Sequence, residues 1–221
     1  MTSDVLRYWN TLRYLKPTQI TNRVRRRLFP PRPATAPAPE IRMPTGNWHG
    51  CPSEATADGN RCTFLHRTAE IGNREDWNTR GVPRLWLYNL HYFDFLRREG
   101  IAGEYWITRW INENPQGYGV GWEPYPLSLR IVNWIKYAWS GHPLPEGASD
   151  SLAAQLRFLS GSLEYHLLAN HLLANAKALI FGGSYFGGEE GACWQETGWQ
   201  IYRQQLPEQI LADGGHFERS L

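Results

Sequence analysis

The sequence predicts an all-α protein, an incomplete α/α toroid of helical hairpins preceded by an N-terminal helical arm and a Pro-rich linker. Three features carry this prediction. From Pro83 onward, apolar blocks with helical spacing alternate with Gly and Pro breaks. Several blocks, Leu85–Phe95 among them, are apolar on more than one side, so their helices need cover on two faces. An inner and an outer ring of paired helices meets that demand, with a plain bundle as the alternative. Finally, Pro30, Pro31, Pro33, Pro37, Pro39 and Pro44 make the stretch from Phe29 to Pro44 extended and non-helical. No exact repeat is visible, so the ring rests on burial and not on repetition.

Taken in order, residues 1–28 form the arm. Val5, Tyr8, Trp9, Leu12 and Leu15 recur at helical spacing, and Pro17 restarts a second short helix with Ile20, Val24 and Leu28 on one side. Residues 29–82 are linker and loops, rich in Gly, Asn, Thr and Asp after residue 46, with one or two short strands around Cys62–His66. Residues 83–221 hold the helical domain. Its blocks are Pro83–Arg98, Gly103–Asn114, Tyr125–Ser140, Ser149–Glu164 with Asp150 as N-cap, Asn170–Phe186 and Cys193–Leu211.

Composition narrows the function. A hydrophobic fraction of 42% and a charged fraction of 20% describe a globular chain and exclude intrinsic disorder. The net charge of +2 is concentrated in Arg23, Arg25, Arg26 and Arg27; this short run reads as a solvated helix end, not as a nucleic-acid surface. Eleven Trp and eleven Tyr are first of all core material. Their flat faces also suit the apolar face of a sugar ring, which favours a carbohydrate cleft. Three cysteines do not make a disulfide scaffold, and the spacing of His49, Cys51, Cys62 and His66 does not fit a zinc site. Arg7, Arg13 and Lys16 interrupt any secretory h-region, and no apolar run is long enough to span a membrane, so the chain as written is expected in the cytoplasm.

Four segments carry a resemblance to a known family: LWLYNLHYFDFL (85–96), WEPYPLSLRIVNWIKY (122–137), EYHLLANHLLANAKALIFGGSYF (164–186) and DGGHFERS (213–220). In these the chain resembles the N-terminal toroid of heparinase II/III-like polysaccharide lyases, the last two segments being the most specific. The arm at 6–28 also resembles the opening of family members that travel with bacterial surface-polysaccharide genes. The resemblance implies β-elimination at a uronic acid, in which the C5 proton is removed and the group on C4 expelled. Because the carboxylate does not readily accept more negative charge, preorganised donors must neutralise it before a Tyr or His takes the proton.

By this resemblance Asn170 and His171 match the family's carboxylate-neutralising pair. Asn170 also reads as the N-cap of its block, and the two roles are compatible at a helix N-terminus. His91, Tyr92, Trp122, Glu123, Tyr125 and Arg130 become cleft-lining positions, with Arg130 suited to grip a carboxylate or sulfate through its fork. Asn175 reads as solvated or core-bonded, Lys177 as surface, and Trp134 and Tyr137 as core. His216 and Glu218 fall in the loop that in the family leads to a catalytic Tyr, about two positions beyond Leu221. The expectation is therefore an incomplete lyase toroid with an uncovered edge open to association. Its partner would be an acidic polysaccharide, with no cofactor or metal required and the periplasm as the family-based location. Two other classes stay open. One is a non-catalytic carbohydrate-binding or assembly module. The other is an α/α-toroid hydrolase, which would need a carboxylate pair from Glu123, Glu164 and Glu218.

Overall fold

A computed structural model describes residues 15–42, 53, 55–98 and 100–217. Of the expected first helix, Val5–Leu15, all but Leu15 lies outside the described residues, as do the positions His49, Cys51 and Glu218. What is described is mostly α-helical, with one small sheet. The helices are α1 (Pro17–Leu28), α2 (Arg84–Tyr92), α3 (Gly103–Glu113), α4 (Pro124–Trp139), α5 (Ala148–Gly161), α6 (Ala169–Tyr185) and α7 (Gly188–Gln209). The sheet is an antiparallel meander of β1 (Thr56–Asp58), β2 (Arg61–Phe64) and β3 (Arg67–Glu70). It is one strand larger than the sequence suggests, because Leu65 and His66 both adopt left-handed backbone and make a tight hairpin without the usual Gly or Asn. Cys62 and Phe64 then face inward, and the Phe64 ring meets Trp86 of α2 edge-on at 5.1 Å.

Helix α4 follows from Pro124 at its first turn and from apolar residues on every side. Leu127, Ile131, Trp134 and Ile135 are fully buried, as are Ser128 and Arg130. After Gly141 and Gly147, both at positive φ, α5 returns antiparallel and places Gln155 against Arg130. Asp150 is not the N-cap of α5, a position taken by Gly147; its carboxylate instead accepts the backbone N–H of Ala38 at 2.7 Å. Helix α6 runs parallel to α4, since Tyr125 meets His171, Ser128 meets Asn175, and Trp139 meets Tyr185. The α4–α5 and α6–α7 hairpins thus stand side by side with their first helices aligned. Helix α7 begins at Gly188, five residues before the expected Cys193, because only Phe186 and Gly187 separate it from α6.

The extended segment after α1 straps these hairpins together. Arg157 of α5 donates to the carbonyls of Ala36 and Pro37 while its fork pairs with Glu190 of α7. Glu40 accepts from Gly187 N–H, and Arg42 donates to Tyr185, at the α6–α7 turn.

Seven of the nine Trp among the described residues are buried: Trp77, Trp86, Trp106, Trp110, Trp122, Trp134 and Trp194. Their supply is spent on the core rather than on a sugar platform. They interlock edge to face, as Trp106 does with Trp77 at 5.9 Å and Trp134 with Trp110 at 5.6 Å.

Helices α6 and α7 approach closely through glycines. A Cβ at Gly183 would lie 2.4 Å from the carbonyl oxygen of Gly191 and 2.6 Å from Gln195 N. Alanine is the better helix former, by up to about 1 kcal/mol, but a clash with backbone cannot be relieved by a rotamer change. Gly183→Ala is therefore expected to destabilise the protein by about 1–3 kcal/mol, read as a lower midpoint in urea denaturation.

Candidate functional site

The site is built where the chain enters α6. Residues Glu164–Leu168 form a turn in which the N–H groups of Leu167 and Leu168 both donate to the carbonyl of Glu164 at 2.9 Å. Leu168 (φ 65°) and Ala169 (φ 52°) then take left-handed backbone without being glycine. Such conformers cost about 1–3 kcal/mol each and persist only where their surroundings enforce them. Leu168 is the N-cap of α6, so Asn170 sits inside the first turn and does not cap the helix.

The turn folds the Glu164 side chain back beneath the helix start, where it is 5% exposed. One carboxylate oxygen lies 3.2 Å from Nδ1 of His171. The other accepts from the Asn175 amide at 3.2 Å, while Asn175 Oδ1 accepts the backbone N–H of Glu164 at 2.8 Å. The same Asn175 amide donates to Ser128 Oγ at 3.0 Å, and Ser128 donates to the carbonyl of Pro124 at 2.7 Å. A buried polar chain thus runs from α4 through α6 to the imidazole of His171, which remains 34% exposed. With Nδ1 committed to Glu164, Nε2 is the nitrogen turned to other work.

Aromatic rings extend the site from the start of α4 to the second half of α2. Tyr125 packs its ring 4.5 Å from that of His171, Tyr92 lies 6.0 Å from Tyr125, and Tyr88 lies 6.3 Å from Tyr92. Burial pushes the Tyr92 phenol above its ordinary pKa, with the neighbouring Tyr125 adding to it. Tyr88 is raised as well, by burial and then by its hydrogen bond to Glu123. Glu123 also pairs with Arg84, and this bond holds the guanidinium pKa above its usual value.

Of the expected cleft residues, Tyr125 and Glu123 stand with Asn170 and His171 at this end of the helices, and Tyr92 lies just beneath, 8% exposed. Three others belong to the core, which corrects the sequence reading. His91 is fully buried; Nε2 meets the carbonyl of Trp77 at 3.0 Å and Nδ1 accepts from Trp110 Nε1 at 3.0 Å. Trp122 is 3% exposed and wedged between Trp110 and Phe158. Arg130 is fully buried and stacks on the Trp110 face at 3.7 Å. Its Nε donates to Gln155 Oε1 at 2.9 Å and its Nη1 to the carbonyl of Gly121 at 2.8 Å, while Nη2 is buried without a hydrogen-bond partner, so the whole fork is enclosed in the protein. A polar residue between apolar neighbours looks the same in sequence whether it lines a cleft or satisfies a core.

His216 bonds Gln209 Oε1 at 2.9 Å, and Gln209 in turn donates to the carbonyl of Ala169 at 3.0 Å. The loop after α7 is thereby tied to the start of α6. Sequence reasoning missed Tyr88, Arg84 and Ser128, and did not see Glu164 as the partner of His171. The available signal was the four-residue step from His171 to Asn175, which puts both on one face and invites a shared partner. Cys62 is buried, its thiol pushed up to about 12 by desolvation, which removes it from any surface ligand set.

Residues 149–221 match the family described as Heparinase II/III N-terminus. A stretch of 55 residues is 36% identical to the heparin-sulfate lyase of Bacteroides stercoris, covering 24% of this chain and 8% of that protein. No solved structure matches the chain. The matched window contains Glu164, Asn170, His171, Asn175 and His216; the segments 85–96 and 122–137 fall outside it.

Two outcomes follow from the geometry. Asn175→Leu strips partners from Glu164 and Ser128 in a buried setting, and is expected to cost about 2–3 kcal/mol in urea denaturation. His91 is held down to about 3 by burial, with Arg130 adding to the effect. Its unfolded pKa is about 6.5, so below that pH the unfolded chain takes up a proton that the native state refuses. Stability is then full above about pH 6.5 and falls as pH drops toward 3. His91→Gln, which can keep a donor and an acceptor in place, should flatten the slope of melting temperature against pH between about 6.5 and 4.

Proposed function

We propose that this chain, heparinase II/III-like across residues 149–221, supplies the carboxylate-neutralising part of a polysaccharide lyase site for uronic-acid glycans. The observation that supports this reading best is the seating of His171. Its Nδ1 faces the buried carboxylate of Glu164, and its ring is one-third exposed in the first turn of α6. Glu164 fixes the ring through Nδ1, so that Nε2 is the nitrogen left to meet a substrate carboxylate. The helix N-terminus adds its own partial positive charge at the same point, and Asn170, the residue before His171, supplies an amide donor.

The chemistry needs these donors. When the C5 proton of a uronate leaves for a base, the electron pair first loads the carboxylate as an aci-anion. It then forms the C4–C5 double bond as the C4–O bond breaks, and the departing oxygen takes up a proton. Donors fixed before the reaction stabilise the aci-anion without reorganising, a contribution worth about 3–4 kcal/mol per donor in well-built sites. The Tyr125 ring beside His171 gives the sugar an aromatic edge to rest on.

The test uses the whole chain with heparan sulfate, alginate and polygalacturonate. The parent should bind at least one of these, and Asn170→Ala/His171→Ala should bind it about tenfold more weakly while keeping its helical circular-dichroism spectrum. Ultraviolet absorbance of the unsaturated uronate reports elimination; binding without that product identifies a glycan-binding module. Equal binding by parent and variant would overturn the site assignment, and new reducing ends without unsaturation would mark a hydrolase.

A further inference from the structure

Helix α1 carries Arg23, Arg25, Arg26 and Arg27 and no acidic residue. Among the described residues none of these arginines forms an ion pair. Arg23 stands three and four positions from Arg26 and Arg27, the spacings at which like charges on a helix repel. A folded protein that keeps such a cluster unpaired holds a site of positive potential.

The way α1 is mounted aims that potential. The helix meets the body through its polar side, where Gln19, Asn22 and Arg26 are half-buried and every other residue is exposed. Gln19 Nε2 donates to the carbonyl of His166 at 3.3 Å, and the Arg26 guanidinium lies 3.4 Å from His166 Nδ1. Lys16, just before the helix, pairs with Glu208 of α7 at 2.8 Å and fixes the other end. His166 belongs to the turn that carries Glu164 and leads into Asn170 and His171. Gln19, Arg23 and Arg26 share one side of α1, so Arg23 and Arg26 border the rim of the candidate site. Burial and the nearby Arg26 and Arg23 hold the His166 pKa down, and Arg25 acts on Tyr165 in the same turn.

We propose that the arginines of α1 form a second anion-binding station, which holds charged groups of an acidic glycan next to the sugar seated at His171. This rests on the reading of His171 as a uronate site and extends it from one carboxylate to several successive charges, as on a sulfated chain. A lipid surface fits less well. The apolar stripe of α1, Ile20, Val24 and Leu28, faces outward at 41%, 53% and 65% exposure, but Arg23 and Arg26 point away from it toward the turn.

The experiment titrates the whole chain with heparin oligosaccharides over a series of salt concentrations. The variants are the triple Arg23→Gln/Arg25→Gln/Arg26→Gln, the corresponding lysine triple, and His171→Ala. The glutamine triple should lose about tenfold or more in affinity, and its log K against log salt slope should shrink by about 2. The lysine triple should recover most of the loss, and the circular-dichroism spectra should match the parent's, because Arg23 and Arg25 are exposed and Gln19 and Lys16 still hold α1 in place where Arg26 is half-buried. His171→Ala should weaken binding with the slope nearly unchanged, which separates the two sites. If the glutamine triple binds heparin as the parent does while His171→Ala does not, the arm proposal falls and the uronate reading stands. Loss of binding to anionic phosphatidylglycerol vesicles without loss of heparin would also overturn it, as would duplex DNA competing as well as heparin.

Discussion

A carboxylate removed from water must find partners or surrender its charge, because desolvation costs several kcal/mol per ion. Glu164 is under that constraint, and the arrangement around it is the response. Asn175 binds both its backbone and its side chain, Ser128 anchors Asn175 to α4, and His171 closes the set at the surface. The left-handed pair at Leu168 and Ala169 is what folding the carboxylate back under α6 demands of the backbone. Remove the carboxylate, and neither the strained turn nor the orientation of the imidazole has a cause. The candidate chemistry therefore depends on a carboxylate that is almost wholly withdrawn from solvent.

A second buried charge organises the other half of the molecule. Arg130 holds α4 to α5 through Gln155, to the loop before α4 through Gly121, and to α3 through the Trp110 face. His91 completes the group by accepting from the same Trp110. Burial lowers the guanidinium pKa below its usual value, and the acceptors together with the indole face are what keep the cation in place. The two charges thus have opposite tasks, one to present a side chain at the surface and the other to knit helices whose faces are otherwise apolar.

Much of this was legible in the chain itself. The helices from Arg84 onward fall close to their apolar blocks, since Gly and Pro mark most of their ends. The place of Asn170 and His171 in the first turn of a helix was readable from the block that opens there, but their link to Glu164 through the turn before it was not. Nor was the lining of the site. His91, Trp122 and Arg130 sit in local patterns no different from those of Tyr92, Glu123 and Tyr125, and only packing decides which side of a helix meets solvent. Tyr88 and Arg84 reach the site through Glu123, thirty-odd positions away in the chain, a pairing that no local pattern contains. The sheet escaped full recognition because its second turn uses Leu65 and His66 where Gly or Asn would have announced it.

The Pro-rich strap has a consequence for how the molecule assembles. Its bonds to Asp150, Arg157 and the α6–α7 corner join residues more than a hundred positions apart. Closing so long a loop gains nothing until the helices it spans have already docked. The strap is thus a late closure, and the stiff rings of its prolines lessen the disorder given up when it settles. Slow isomerisation at its X–Pro bonds would delay this last step and leave the earlier helical assembly untouched.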